Sequence, residues 1–409
     1  MNINNLIELD ELARKDGRKY KKQRLLYKTI QAEKGKHFNG IIGPRGAGKT
    51  ILLKQIAQNN DKSFYISLDT LDNQNLFDIA KHLRDYLKVK TLLLDEIHFQ
   101  KNYAGELKKI YDFLDIKIIF TSSVALALTQ SAFDLSRRVK LIPLPVFSFR
   151  EYIYFKTDNL LPVLTLENII RKDWHGDHLR WGYLFKEYLC GGLLPFSLEE
   201  PNPLPLFSNI LEKILERDIP SITSIFVEEI ALIRKMFKFI AKSSVDGINY
   251  SSIARNIGIT KYKAQSYLEL LADALVLHII FPKGANVLRE PKVLLSPPYR
   301  LLHSEYEYSI GGLREDFFAE MLTSAKIDFH YLKSTRGKKT PDFLVKDENG
   351  DIVLEIGGKG KGRSQFKGIK TDRKLIFYHH NEEAHTNDDS LKNAIDKIRR
   401  PLFLLGFLY

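Results

Sequence analysis

Apolar residues in the first part of the chain come in short unbroken runs separated by amphipathic stretches. The runs are FNGIIG (38–43), SFYISL (63–68), KTLLLDE (90–96), IKIIFTSS (116–123) and RVKLIPL (138–144). Runs of this length predict strands buried on both faces. The amphipathic stretches between them predict helices that cover a parallel sheet. Residues 145–220 are expected to be mainly helical, with DIPSITSIF (218–226) as a hinge, and a compact helical region should follow from about 227 to 285. Beyond FPKGANVLREPKVLLSPP (281–298) the pattern is mixed. A helix GLREDFFAEML (312–322) precedes strands IDFHYL, PDFLV, DIVLEI and KLIFYHH.

With 409 residues, 44% of them hydrophobic and 11% aromatic, the chain has material for two or three cores and is not a disordered protein. Its one cysteine, Cys190, excludes an intramolecular disulfide and a cysteine-based zinc site. The polar N-terminus lacks the apolar core of a signal peptide, and no stretch approaches the roughly 20 apolar residues of a membrane span. A cytoplasmic protein with no membrane partner is therefore expected. The net charge of +12 gathers in RKDGRKYKKQR (14–24) and GGKGKGRSQFKGIKTDRK (357–374), a concentration that favours a polyanion.

The segment GPRGAGKT (43–50) fits G-x-x-x-x-G-K-[ST] between a strand and a helical pattern. Gly43, Gly46 and Gly48 allow the backbone, with Pro44, Arg45 and Ala47, to curl its N–H groups toward phosphate oxygens. The helix start through Ile51 adds favourable partial charge. Lys49 is placed to reach the β- and γ-phosphates, and Thr50 to put a hydroxyl on Mg²⁺. In TLLLDEIH (91–98) a strand ends in two acids. Asp95 is expected to hold the metal through its water shell and Glu96 to activate the attacking water, which makes the chemistry hydrolysis. Ser122 or Ser123, at the tip of the next strand, either hydrogen-bonds that water or the γ-phosphate, or caps the following helix.

These segments resemble the prokaryotic AAA-type ATPases that carry a C-terminal DUF4143-like domain. LSRRVKLIPLPVFSFREY (135–152) resembles that family's arginine-containing turn, strand and L-P-L-S-F-R-E-Y segment. FKEYLCGGLLP (185–195) resembles its Y-L-x-x-G-G-x-P element, LEKILERDIP (211–220) its R-D-I helix, and GGLREDFFAEML the helix that opens its last domain. The family turn usually has Gly-Arg where this chain has Arg137-Arg138. The resemblance gives Arg138 the position of a finger or sensor arginine. It also implies ATP, since no guanine-reading N/T-K-x-D element is evident.

In INYSSIARNIGITKYKAQSYLELLADALVLHII (248–280) apolar residues fall at helix-turn-helix spacing around Gly258, and ALVLHII could supply a wing strand. The second helix would present Lys261, Tyr262 and Lys263 to phosphates or base edges. Such a region also serves as packing between domains without touching DNA.

The last domain resembles the restriction-endonuclease-like fold. A helix carrying Glu315 precedes a hairpin with Asp342 and Glu355, which that fold would use to hold Mg²⁺. The usual Glu-x-Lys lysine is Gly357 here. Lys359 lies on the same strand face, about 6.6 Å further along, and Gln365 resembles a glutamine found on the following helix of that fold. The glycine-rich loop with Lys361 and Arg363 suits phosphate gripping without cleavage.

The expectation is an α/β chain built from four parts. They are a P-loop sheet domain (1–150), a helical lid (151–226), a winged-helix domain (227–299) and a restriction-endonuclease-like domain (300–409). Its expected function is Mg²⁺-dependent ATP hydrolysis that controls DNA binding, with a homo-oligomer as one mode of assembly. An ATP-regulated endonuclease and an ATP-gated protein switch are the alternatives.

Overall fold

The computed structural model describes residues 3–71, 75–123, 135–284, 290–333, 340–347, 350–357, 366, 371, 373–379 and 397–409. The chain divides into two compact units. One comprises Met1–Val146, Ile210–Phe226 and Asp273–Leu275; the other comprises Phe147–Asn209, Val227–Ala272 and Val276–Tyr409. Against the four expected parts, residues 210–226 thus group with the P-loop sheet, and the rest of the expected lid groups with the C-terminal region.

In the first unit the five expected strands are present: β1 (Phe38–Ile42), β2 (Ser63–Ser67), β3 (Thr91–Asp95), β4 (Lys117–Ser122) and β5 (Val139–Pro143). They pair in the order β2-β3-β4-β1-β5, all parallel. The continuous apolar runs follow from this arrangement, because a parallel sheet is covered on both faces. One face packs a core that includes Phe38, Phe64, Leu92, Leu94, Ile118 and Phe120. The register places the C-terminal ends of β1, β3 and β4 side by side, so the segments beginning at Gly43, Glu96 and Ser123 emerge together.

The polar N-terminus, for which no helix was expected, forms α1 (Ile3–Lys19), and the short α2 (Leu26–Ala32) follows. The buried residues of α1, Leu6, Asp10, Ala13 and Gly17, fall at helical spacing on one face. That face packs on α3 (Lys49–Gln58) and on β2, the edge strand. Asp10 accepts the N–H of Tyr65 at 2.8 Å, and Arg14 donates to the carbonyls of Ala57 and Ser63. Groups that an edge strand leaves open are thereby satisfied. A Cβ at Gly17 would lie 2.5 Å from the carbonyl oxygen of Lys54, so the close approach of the helices requires glycine. Two cations of the first basic cluster therefore serve the fold. Arg14 binds α3 and β2, and buried Arg24 donates to the carbonyls of Ala47 and Pro145.

In the second unit, helices Tyr250–Ile257 and Lys261–Asp273 are joined through Gly258, whose φ of 81° is the left-handed conformation that glycine adopts freely. The antiparallel pair β6 (Leu277–Ile280) and β7 (Lys292–Leu295) follows. A further sheet combines β8 (Phe329–Tyr331), β9 (Phe343–Val345), β10 (Ile352–Gly357), β11 (Lys374–Tyr378) and β12 (Arg399–Pro401) in the order β12-β11-β10-β9-β8. Strands β8, β9 and β10 pair antiparallel, whereas β10, β11 and β12 pair parallel. The mixed pattern of the sequence reflects this mixed sheet. The helix Tyr306–Ser324 is buried along most of its length from Leu313 to Leu322, including its charged residues.

Within that helix Asp316, fully buried, receives Nε and Nη2 of Arg300 and the N–H of Leu295. Arg300 Nη1 faces the carbonyls of Ile240, Ala241 and Ser243 at the end of helix Val227–Lys242. One ion pair thus ties three elements of this unit. Asp316→Ala should cost about 3–5 kcal/mol, because it leaves the buried guanidinium without its carboxylate. Chemical denaturation of the whole chain should locate that loss in the second unit, and Arg300→Met with Asp316→Leu should recover most of it. A loss below about 1 kcal/mol would contradict this role.

Candidate functional site

The glycine-rich turn leads directly from β1 into α3. Gly46 and Gly48 have φ of 85° and 90°, and a Cβ at Gly43 would come within 2.2 Å of the Leu144 carbonyl oxygen. These three glycines therefore meet a steric demand of the loop. Lys49 is buried, and its Nζ donates to the carbonyls of Gly43 at 2.7 Å and Pro44 at 3.0 Å. Burial lowers its pKa, against the opposing charges of Glu96 and Asp95. Pro44 and Ala47 contribute backbone to the same curl, where the Ala47 N–H donates to the Pro44 carbonyl at 3.1 Å, and Ile51 lies in the first turn of the helix.

Asp95 closes β3 and is 2% exposed. Three hydroxyls meet its carboxylate: Tyr65 from β2 at 2.9 Å, Thr121 from β4, and Thr50 from α3. Burial raises the pKa of Asp95, as does the charge of Glu96, while these hydroxyls act the other way. Thr121 has a second role, since its Oγ1 accepts the N–H of Glu96 at 2.9 Å. Glu96 itself adopts a left-handed backbone, φ 55°, which is uncommon for a side-chain-bearing residue and characteristic of functional turns. Its Oε2 is buried without a hydrogen bond, and His98 Nδ1 lies 3.4 Å from it. Burial lowers the pKa of His98, which keeps that ring neutral near pH 7. Thr50, Tyr65, Asp95, Glu96, Phe99 and Arg45 share a cavity of about 630 Å³ with residues of α1, including Asp16 and Lys19.

Ser123 also lies at this end of the sheet, where its Oγ stands 3.4 Å from Asp218 Oδ2. The same carboxylate takes both prongs of Arg45, with Nε to Oδ2 at 2.8 Å and Nη2 to Oδ1 at 2.6 Å. Ser122 instead faces His98 Nδ1 at 3.3 Å. The structure thus brings Arg45, Lys49, Thr50, Asp95, Glu96 and Ser123 together. Sequence reasoning missed Tyr65, Thr121, His98 and Asp218 at this site. The phrase R-D-I had marked Asp218 only as part of a helix.

Arg138 is not brought to this group. It precedes β5, whose first residue pairs with Phe38 at the start of β1, whereas the glycine-rich turn follows the end of β1. It therefore sits a strand length away, roughly 15 Å. There its Nε and Nη2 bind Asp112, each at 3.0 Å, and its guanidinium lies over the Tyr111 ring.

In the second unit the candidate acids meet other protein groups. Glu315 pairs with buried Lys292, which also reaches Asp246 at 3.2 Å. Burial pushes the Glu315 carboxyl up to about 7, with Lys292 opposing and Asp342 adding to the rise. Asp342 Oδ2 accepts the N–H of Ile356 at 2.7 Å, and Glu355 is buried on β10. No group of three or more His, Cys, Asp or Glu among the described residues is placed to hold a metal ion. Of the possible degenerate nuclease site, Glu315 is thus engaged by a lysine and Asp342 by a main-chain amide. Lys359, Lys361, Arg363 and Gln365 lie outside the described residues.

On the helix after Gly258, Tyr262 is exposed, Lys261 pairs with Glu290, and Lys263 lies 3.2 Å from Glu229. No helix among the described residues is long and apolar enough to cross a membrane.

Comparison with known proteins places this geometry. Residues 36–153 match the family model described as an AAA domain. Residues 182–296 match a domain of unknown function (DUF8612), whereas the sequence resemblance had led to a DUF4143-like domain over 300–409. An uncharacterized protein of Methanocaldococcus jannaschii, MJ1637, is 28% identical over 81% of this chain and 77% of its own length. Among solved structures, a Walker-type ATPase of Pyrococcus abyssi is 14% identical and covers 67% of this chain and 92% of its own, with a TM-score of 0.41. The Aeropyrum pernix Orc1 protein, solved in complex with DNA, is 12% identical with a TM-score of 0.29, covering 77% of this chain and 94% of its own. The Thermotoga maritima RuvB Holliday junction branch migration motor is 16% identical with a TM-score of 0.28, covering 71% and 91%. The glycine-rich turn, the acid-tipped strand and all five strands of the parallel sheet lie within the matched segment, so residues 36–153 are similar to an AAA domain.

Proposed function

We propose that this protein is a Mg²⁺-dependent ATPase whose nucleotide state governs its hold on DNA. The observation that carries the reading is the convergence at one end of the sheet. Lys49 is buried at the glycine-rich turn, Asp95 is held by three hydroxyls, and the Glu96 carboxylate lies beside it. The backbone from Gly43 to Thr50 would hold the phosphates, with Lys49 supplying positive charge. Thr50 and Asp95 are of the right chemistry for Mg²⁺, which when bound neutralises charge developing on the phosphates. Glu96 would orient and activate the attacking water, and its orientation depends on the N–H that Thr121 accepts.

The DNA part of the reading rests on the helix pair around Gly258 followed by β6 and β7, taken as a winged helix, and on the chain's net charge of +12. The sheet β8–β12 with helix Tyr306–Ser324 is taken as a nuclease-like platform. Engagement of Glu315 by Lys292 and of Asp342 by Ile356 favours binding over metal-dependent cleavage there.

The test follows ATP hydrolysis by the whole protein with and without duplex DNA, with the DNA run on a gel afterwards. Stimulation by DNA that stays intact is expected, and Lys49→Ala should lower turnover about 10²-fold or more. Binding to labelled duplex should weaken steeply between about 50 and 200 mM salt. Salt-indifferent binding would contradict a DNA role and favour a protein partner; cut DNA would favour the endonuclease. Thr121→Val should lower the turnover number about tenfold or more while leaving KM for ATP within about threefold, because it removes hydrogen bonds to Asp95 and Glu96 without touching the phosphate-binding loop. An unchanged turnover number would contradict that role.

A further inference from the structure

Arg45 occupies a variable position of the phosphate-binding loop, yet its side chain is only 13% exposed and grips Asp218 with both prongs. Asp218 has no exposed surface and lies on an irregular π-type turn, Ile214–Asp218, a feature frequent at functional sites. Its neighbour Arg217 lies 5.4 Å from the centroid of the Phe99 ring, just beyond the acid-tipped strand. Ser123, at the tip of β4, stands against the same carboxylate. Loop, strand tip and the segment 210–226 therefore meet at one buried negative charge.

This arrangement has an electrostatic consequence. A buried carboxylate close to a phosphate site disfavours phosphate unless a cation neutralises it. Arg45 performs that neutralisation, but its guanidinium also belongs to the loop that would receive the phosphates. Phosphate oxygens and a carboxylate offer a guanidinium the same two-pronged geometry. They therefore compete for Arg45.

We propose that Arg45 is a phosphate-sensing positioning residue whose resting partner is Asp218, so that terminal phosphate at the loop draws its guanidinium away and loosens the segment 210–226. The chain leaves that segment at Phe226 and enters helix Val227–Lys242 of the second unit, so loosening is passed on along the backbone. This inference rests on the proposed ATP site.

Hydrogen–deuterium exchange on the whole protein tests it, alone, with ADP and with a non-hydrolysable ATP analogue. Nucleotide binding is measured separately by fluorescence of a labelled analogue. Amides in 214–222 should exchange about tenfold faster with the ATP analogue than with ADP. In Asp218→Asn, which keeps the side-chain shape, they should exchange fast in all three states. Wild-type protein that binds the analogue with unchanged exchange in 214–222 overturns the latch and leaves the ATPase reading intact. Asp218→Asn that retains the wild-type nucleotide dependence also overturns the latch. Wild-type protein that binds no nucleotide overturns both.

Discussion

The first unit is organised around one carboxylate that must be buried and still be satisfied. Asp95 ends an interior strand of the sheet with almost no exposed surface, and among the described residues no cationic side chain is shown paired with it. Hydroxyls from the neighbouring strands and from the P-loop helix meet it instead. For those hydroxyls to converge, β2, β3, β4 and α3 must hold their registers, since a one-residue slip would turn Tyr65 or Thr121 to the other face. The same constraint sets Glu96, whose left-handed backbone is held by Thr121. Preorganisation of this kind lets a site act on developing charge without rearranging at the moment of reaction.

The second unit shows a comparable economy with a different outcome. Arg300 and Asp316 satisfy each other inside the fold and gather a strand, a helix and the end of another helix around them. Nearby, Lys292 supplies the positive charge that Glu315 requires. Acids that a sequence pattern would assign to a metal are thereby held by the protein's own cations and amides.

The parallel sheet and the nucleotide-binding loop were legible because their signals are local. A buried strand announces itself as an unbroken apolar run, and a phosphate loop needs glycine at fixed spacing for steric reasons. Helix α1 was missed although Leu6, Asp10, Ala13 and Gly17 carry its buried face, because a polar residue and a glycine stand at two of the four positions. Arg14 and Arg24 read as surface charge, but their partners are main-chain carbonyls that no sequence pattern displays. Asp218 was equally opaque, since its partners Arg45 and Ser123 lie 173 and 95 residues away along the chain. Arg138 is a different case: a resemblance gave it the position of a finger or sensor arginine, and the register of β5 puts it at the opposite end of β1 from this chain's own glycine-rich turn.

The central claim is that the Glu96 carboxylate drives hydrolysis at a site whose binding functions lie in other residues. The most direct measurement compares wild type with Glu96→Gln under saturating Mg²⁺ and ATP, following single-turnover hydrolysis and ATP affinity together. Affinity within a few fold of wild type and hydrolysis slowed by about 10²–10⁴-fold are expected. Hydrolysis at the wild-type rate in Glu96→Gln would contradict the claim.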